Sequence, residues 1–266
     1  MFSTGSVRSI GCPALLLVAI LFALTGCGAI PRTTVTELPE QTIAQAPDNQ
    51  LLAHVLIAGI RPNGSFNPTS IRTDTELTTY LQQVAETQVT RFASRTELLA
   101  FWINAHNAWV LDILRSNRFS KNVDDISGFR SSNVAIVGGK RYTLSEIEEN
   151  VIGKDFREPR AFFGLYIGAR SGPKLAAVPF EPEKLSEQLD KATFGFFRDS
   201  LRVTLDRKQN TLWLSPFVNE HVEALERASG NLYTFVRAFA SSGLGEYMDQ
   251  HHLMKISYRA YDWSLF

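Results

Sequence analysis

The chain has 266 residues, with 27 basic and 27 acidic side chains. This balance gives no electrostatic basis for binding nucleic acid or a strongly acidic partner, because such proteins carry a surplus of basic residues. The hydrophobic content of 44% and the 18 Phe are typical of a globular domain with a sizeable core and exclude a largely disordered chain.

The N-terminus carries an apolar run, at positions 13–26, that follows a single basic residue, Arg8. The run is shorter than the ~20 residues of a membrane-spanning helix. A positive start, a short apolar stretch and small residues at its end are typical of a secretory signal. The sequence therefore predicts export from the cytoplasm.

The end of this run, Leu24-Thr25-Gly26-Cys27, resembles the lipobox of bacterial lipoproteins. This resemblance implies cleavage before Cys27 and attachment of lipid to its sulfur, so that residues 1–26 form a lipoprotein signal peptide. We expect a bacterial cell-envelope protein, anchored to a membrane by its N-terminal lipid, with its domain in the periplasm or elsewhere outside the cytoplasm. An ordinary secretory signal or a short anchor remains the alternative.

The second cysteine, Cys12, lies inside the predicted signal peptide. If Cys27 is lipidated, the mature chain has no free thiol. An intrachain disulfide, a cysteine nucleophile and a Cys-type metal site are then all excluded.

The rest of the chain divides into a Thr-, Pro- and Gln-rich flexible tether at 27–50 and a single domain at 51–266. Apolar periodicity, capping boxes at Ser94 and Thr143 and glycine turns predict the elements of this domain. In chain order they are helical segments at 51–56, 74–87 and 94–115, a hairpin at 134–142 that turns at 138–139, a short helix at 143–152, a buried strand at 161–167, a loop at 168–173, a helix at 183–198, a second hairpin at 201–215, and helices at 219–228 and 232–240. This order predicts an α+β fold, with helices packed against a small, mainly antiparallel sheet and local hairpins.

Four stretches together resemble the family known as domain of unknown function 547. They are Ala100–Ala108 (AFWINAHNA), Gly138-Gly139 followed by Leu144–Glu148, the segment from Phe163 to Leu175, and the ending Tyr261–Leu265 (YDWSL). The resemblance implies the family's fold over roughly 51–266, but it implies no activity, because the biochemistry of the family is not established.

Several positions depart from the family pattern, which typically has a histidine and two cysteines in the strand and loop. Phe162 stands at the histidine position, and Ile167 and Gly172 stand at the cysteine positions. Glu149 replaces a further histidine, and His106 replaces a tyrosine. If relatives use thiol chemistry, this chain lacks the groups for it.

The polar residues of the 94–115 helix are the first candidates for a site. Asn104 and Asn107 are three positions apart and share a face, whereas His106 points elsewhere. The asparagines are expected to bond main-chain groups of a crossing loop, since a buried amide without a partner costs about 1–3 kcal/mol. The alternative is a polar site inside a hydrophobic helix.

A candidate cleft lies between this helix, the helix that carries Glu148 and the 168–173 loop. Glu148 is either a buried anchor, paired with Asn104, Asn107 or an arginine such as Arg141 or Arg160, or an acid–base group. The loop is either a plain turn or an anion cradle made of backbone amides and Arg170. Ser171 is a possible nucleophile, although no elbow motif surrounds it.

No metal site and no cofactor are predicted. The adjacent His251 and His252 point apart, and His221 lacks the two-histidine spacing of a zinc protease. The sequence favours a non-catalytic binding or scaffold module whose partners are the membrane, through its lipid, and an unidentified ligand or envelope protein. The alternative is a hydrolase or acyl transferase that uses His106, Glu148 or Ser171.

Overall fold

The computed structural model describes residues 46–61, 65–118, 120–132, 134–251 and 254–265. The predicted signal peptide, Cys27 and most of the predicted tether lie outside the described residues. Within the described ranges, no helix has the length and apolar character needed to cross a membrane.

The domain begins with two capped helices that pack together. Helix α1 spans Asn49–Gly59, and the side chain of Asp48 accepts a hydrogen bond from the main chain of Gln50. Helix α2 spans Thr75–Glu86 and is capped by Asp74. The first helix therefore starts two residues before the predicted domain boundary at 51.

Helix α3, Arg95–Ser116, forms the centre of the domain. It begins as predicted, because the Ser94 side chain accepts a hydrogen bond from the Glu97 main chain and the Glu97 carboxylate accepts one from Ala93. Every residue from Leu99 to Ala108 is buried. A helix that is buried on all sides belongs to the core, so its polar side chains need partners within the protein.

The first hairpin confirms the glycine-turn prediction. Strands β1, Val134–Val137, and β2, Lys140–Thr143, pair in antiparallel register around Gly138 and Gly139. Both glycines have positive φ, as a two-residue turn that matches the strand twist requires. Their amides also donate to the carbonyls of Val84 and Ala85, so the turn completes the C-terminal end of α2.

The segment after this hairpin differs from its prediction in length and in type. Helix α4, Leu144–Glu146, starts at the predicted capping box and continues directly into a π-helix, Ile147–Phe156. The π-helix ends at Arg157, which adopts the left-handed conformation with φ 55°.

The prediction of a buried strand at 161–167 is wrong. Residues Pro159–Gly164 form a 3₁₀-helix, and residues 165–167 pair with no strand. Periodicity cannot distinguish a buried strand from another buried segment when the apolar run is short. The side chain of Asn107 bonds the main chain at Gly164 and Tyr166, and so takes the place of a strand partner.

The C-terminal half adds a three-stranded sheet and further helices. Helix α5, Leu185–Phe197, and the second hairpin follow their predictions, whereas the helix predicted at 219–228 is divided at His221. Helix α9 and strand β5 were not predicted. The elements after α5 are β3 Val203–Asp206, β4 Thr211–Leu214, α6 Pro216–Glu220, α7 Val222–Ser229, α8 Leu232–Phe239, α9 Ser242–Gln250 and β5 Lys255–Tyr258.

The two small sheets confirm the α+β class. Strands β1 and β2 form one sheet, and β3, β4 and β5 form the other, in which only the β4–β5 pair is parallel. The helices share a core with a cluster of contacting aromatic rings: Phe163, Phe196, Phe197, Phe217, Phe235 and Phe239.

Substitution at the first hairpin turn should separate the contribution of backbone conformation to the free energy of unfolding from the contribution of packing. Gly138→Ala and Gly139→Ala each place a side chain at positive φ, which costs on the order of 1 kcal/mol. A Cβ at Gly138 would stand 2.9 Å from the Thr87 carbonyl oxygen, whereas at Gly139 it would meet nothing within 4 Å. We expect Gly138→Ala to lose about 1 kcal/mol more than Gly139→Ala in urea unfolding of the full chain in mild detergent. Equal losses would show that the contact with α2 contributes nothing.

Candidate functional site

The Asn104 side chain binds both main-chain groups of a single distant residue. Its Nδ2 donates to the carbonyl of Phe180 at 2.8 Å, and its Oδ1 accepts from the amide of Phe180 at 2.8 Å. This is the hydrogen-bond pattern that a neighbouring strand would offer. The prediction that this asparagine holds a crossing loop is confirmed.

Asn107 also bonds main-chain groups, here those of two residues in the segment that was expected to be a strand. Its Nδ2 donates to the carbonyl of Gly164 at 2.9 Å, and its Oδ1 accepts from the amide of Tyr166 at 2.8 Å. These two contacts also define which end of the amide carries the oxygen. Both asparagines are therefore fully engaged within the core.

His106 is completely buried and faces two oxygens. Its Nδ1 lies 3.2 Å from Asn107 Oδ1, and its Nε2 lies 2.9 Å from Glu148 Oε1. Because the Asn107 oxygen is an acceptor and an ionised carboxylate offers no hydrogen, an imidazolium with both nitrogens protonated satisfies both contacts. His106 and Glu148 then form a buried ion pair.

Arg130 extends this pair toward the surface. Its Nη2 bonds Glu148 Oε2, and its Nη1 bonds Glu220 Oε2 at 3.0 Å. Along the series His106, Glu148, Arg130 and Glu220, the exposed fraction of the side chain rises from 0% through 2% and 21% to 32%. We call these four residues the charge relay, since positive and negative groups alternate from the core to the surface.

The surroundings of Glu148 decide its protonation state. Burial acts to raise the pKa of this carboxyl, but its hydrogen bonds and charge interactions with His106 and Arg130 outweigh burial and hold the pKa below its ordinary value. The carboxylates of Glu148 and Glu220 in turn raise the pKa of Arg130, against the effect of burial. Glu148 and Arg130 are therefore both ionised at neutral pH.

Two further residues border the charge relay. His221 stacks on Phe162 with ring centroids 4.0 Å apart, and burial lowers its pKa to about 4, so this ring is neutral at pH 7. The Tyr261 hydroxyl is buried. Burial raises the pKa of this hydroxyl most, and the negative charge of Glu220 raises it further.

The structure corrects the partners predicted for Glu148. The carboxylate bonds His106 and Arg130, and not Asn104, Asn107, Arg141 or Arg160. Arg160 instead pairs with Glu158 and with Asp190, both at 2.7 Å. No local pattern marks Arg130 as the partner of Glu148 and Glu220, because Arg130 lies 18 positions before Glu148 and 90 positions before Glu220 in the sequence.

The loop of residues 168–173 belongs to a second network. The amides of Arg170, Ser171 and Gly172 donate to the carbonyls of Ser264, Asp262 and Ala169. These amides are used within the protein, so the predicted anion cradle of backbone amides is wrong. The loop is a structural turn that holds the C-terminal segment, as the alternative prediction stated.

Ser171 takes part in this turn through its side chain and its main chain. Its Oγ accepts a hydrogen bond from the amide of Asp262 at 2.8 Å, and its carbonyl accepts one from Ser215 Oγ at 2.6 Å. His106 and Glu148 bond neither group. The structure therefore joins His106 to Asn107 and Glu148, while the side chain of Asn104 bonds Phe180, and Arg170 and Ser171 lie in the separate turn.

Ile167 and Gly172, which were expected to stand at cysteine positions of the family, contact each other. A Cβ built on Gly172 would stand 2.2 Å from Ile167 Cγ1, so the isoleucine occupies the space above the glycine. Both residues are buried. Phe162, which was expected to stand at a histidine position of the family, contributes to a groove and stacks on His221.

Comparison with known families identifies the segment that carries most of these residues. Residues 90–197 match the model of a family described as Protein of unknown function, DUF547. The resemblance to this family is confirmed over these residues, which we call the DUF547 segment, whereas its extent over 51–266 stays a prediction. The matched segment contains α3, the π-helix, the 3₁₀-helix Pro159–Gly164 and the 168–173 loop, and it ends with α5. Neither the curated proteins nor the solved structures gave a match to the chain.

The DUF547 segment offers hydrogen-bonding and charged groups at the candidate site. Among the residues that the structure describes, no three His, Cys, Asp or Glu side chains are grouped so as to hold a metal ion. The buried groups of the charge relay already bond one another. The geometry thus stabilises the junction of α3, the π-helix and α6, and exposes Arg130 and Glu220 in part.

Substitution of Glu148 should reveal the dependence of the fold on the charge relay. Glu148→Gln removes the carboxylate that the buried His106 and the half-buried Arg130 share, and breaking a buried ion pair by removing one partner costs about 3–5 kcal/mol. Glu149→Gln, at the exposed neighbouring position, should change the free energy of unfolding by less than about 0.5 kcal/mol. Urea unfolding of the full chain in mild detergent at pH 7 measures both.

The pH dependence of this loss has a defined sign. Because the pKa of Glu148 is lower in the folded state, its contribution is present above the unfolded pKa of about 4.3 and is lost as pH falls through the folded value. The difference between wild type and Glu148→Gln should therefore shrink below about pH 4.3. A difference that stays constant from pH 7 to pH 3 would contradict the ionised relay.

Proposed function

We propose that the chain is a lipid-anchored protein of the bacterial cell envelope, and that its domain serves as a non-catalytic binding or scaffold module. One observation carries the second part. The polar groups that a catalytic role would require are saturated by one another inside the core. His106 and Glu148 bond each other at 2.9 Å with exposed fractions of 0% and 2%.

The anchor is supported by the sequence of the N-terminus. The apolar run at 13–26 is too short to span a bilayer comfortably, and it ends in the lipobox-like Leu24–Cys27. A single acyl chain binds a membrane weakly, whereas the two chains of a diacyl group hold a protein stably. Diacylation of Cys27 would therefore be sufficient to retain the domain at the membrane.

A binding role is supported by the way the buried amides are used. Asn104 and Asn107 fix two main-chain segments beside α3, one at Gly164–Tyr166 and one at Phe180, which makes the domain a rigid frame. Rigid frames reduce the conformational entropy that binding would otherwise remove. A surface built on such a frame suits recognition of a ligand or of another envelope protein.

A hydrolase or acyl transferase is the competing function. It requires a base within about 2.6–3.2 Å of a nucleophile in an open site. The hydrogen bonds of His106 and Glu148 join them to Asn107, Arg130 and each other, and Ser171 bonds Asp262 and Ser215. No observation on these residues favours the enzyme over the binding module.

The anchor is tested by comparing the two cysteines. Cys27→Ser removes the sulfur that would carry the lipid, so we expect the protein to leave the membrane and detergent phases for the aqueous phase. Cys12→Ser, which changes a residue of the predicted signal peptide, is the matched control and should partition like wild type. Detergent phase separation and the mass of the processed chain measure this. Retention of Cys27→Ser in the membrane would contradict lipidation at this residue.

The non-catalytic role is tested with the full chain in detergent, against peptide, ester and amide probes. Because enzymes accelerate reactions by about 10⁶-fold or more, even a poor enzyme would be detected. We expect a rate equal to that of buffer. Saturable turnover that Ser171→Ala abolishes, while the exposed Ser200→Ala preserves it, would establish the enzyme instead.

A further inference from the structure

A groove of about 730 Å³ lies beside the DUF547 segment, between the end of the π-helix and α7. We call it the Phe162 groove. It is separate from the charge relay and from the 168–173 loop. The residues that give it its character are Lys154, Arg157, Phe162, Ala224, Arg227 and Ala228.

We propose that the Phe162 groove binds a small amphipathic anion: a carboxylate, phosphate or similar group that carries an apolar or aromatic body. The inference rests on the proposed binding role and names the chemical class of the ligand. The volume lies within the range of about 300–1,000 Å³ that is common for small-molecule sites.

The charges of the groove favour an anion. Lys154, Arg157 and Arg227 line it, together with two carboxylates. Glu158 is buried and is neutralised by Arg160, which bonds both of its oxygens. Glu223 lies 3.7 Å from Arg227, but its side chain is 88% exposed, so water screens this pair strongly. Positive charge is therefore left in excess toward the groove.

The apolar part of the groove favours a ligand with a hydrophobic body. Phe162 and Pro159 are buried residues that contribute to the wall, and Ala224 and Ala228 of α7 contribute small side chains. Burial of apolar ligand surface is worth roughly 25 cal/mol per Å². A bare inorganic anion would leave this contribution unused.

The Phe162 ring contacts two other parts of the chain. His221 stacks on it with ring centroids 4.0 Å apart and an interplanar angle of 15°. The ring also lies close to Gly153, since a Cβ built there would stand 3.3 Å from Phe162 Cζ, which is tighter than an ordinary contact. Glycine at this position lets the π-helix approach the ring. The wall of the groove is thus preformed, which lowers the cost of binding.

The backbone at the rim is also unusual. The π-helix ends at Arg157, which holds φ 55° and ψ 30° although it is not a glycine. A non-glycine residue in this region is uncommon. π-Helical segments are rare in proteins, and those that occur often lie at functional sites. The conformation places the exposed Arg157 at the rim of the groove, next to the buried Glu158.

The proposal is tested with two fluorescent probes that differ by one charged group. 8-Anilinonaphthalene-1-sulfonate has an aromatic body and a sulfonate, and N-phenyl-1-naphthylamine is the same body without it. The detergent concentration is kept low enough that the detergent itself does not take up the probes. We expect the full chain to bind the sulfonate probe saturably at one site under these conditions. The neutral probe should bind about tenfold more weakly, and salt should weaken only the sulfonate probe.

Two groove variants and one control localise the site. Arg157→Gln with Arg227→Gln should weaken the sulfonate probe about tenfold and leave the neutral probe unchanged. Ala228→Phe fills the groove and should abolish both signals. Lys191→Gln removes an exposed cation of α5 and should bind like wild type. Thermal unfolding of each variant verifies that the fold is intact.

The outcomes separate this inference from the proposed function. Equal binding of both probes, an unaffected double variant, or equal losses in Lys191→Gln would overturn the anion site. Such a result would not affect the Cys27→Ser partition experiment or the turnover assays, which test the proposed function independently. Conversely, turnover lost in Ser171→Ala would refute the non-catalytic role while the groove measurement stands.

Discussion

The hydrogen bonds between the two asparagines of α3 and the main chain are the interaction on which the rest of the domain depends. Four contacts of 2.8–2.9 Å join Asn104 to Phe180 and Asn107 to Gly164 and Tyr166. A main-chain group that is buried without a partner costs free energy comparable to a lost hydrogen bond. The asparagines meet this requirement where no strand is available, so irregular segments can cross the core beside a helix.

The second constraint is the burial of His106 on α3, where it faces Glu148 of the π-helix. A buried charge is tolerated only when it is paired, and each member of the charge relay is paired with the next. The carboxylate of Glu148 joins His106 in the core to Arg130 nearer the surface. The buried polar residues of the DUF547 segment thus hold α3, the π-helix and α6 together.

This use of polar groups separates the frame of the domain from the surface proposed for binding. The members of the charge relay and the amides of residues 170–172 bond groups within the protein, whereas the Phe162 groove combines an apolar wall with lining cations. His221 links the two regions physically, since it stacks on Phe162 while its pKa is influenced by Glu148 and Arg130. A rigid frame behind an amphipathic groove is an arrangement suited to ligand recognition.

The sequence predicted the locally determined parts of the fold. Capping boxes at Ser94 and Thr143 and the two glycines at 138–139 act through neighbours a few residues away, and each of these elements is present. The 161–167 run failed because its apolar character is compatible with several backbone conformations. The contact that decides among them, from Asn107, comes from 57 positions earlier in the chain.

The candidate site shows the same division. The sequence by itself determined that Asn104 and Asn107 share a helix face and that the chain resembles DUF547. It predicted that His106 points away from both asparagines, whereas the structure places His106 Nδ1 3.2 Å from Asn107 Oδ1. Only the tertiary structure decided that Glu148 pairs with His106 and Arg130, that the 168–173 amides are occupied, and that Lys154 and Arg227 border one groove. The physical reason is that periodicity defines the direction of a side chain, whereas partners from distant parts of the chain meet only when the elements pack together.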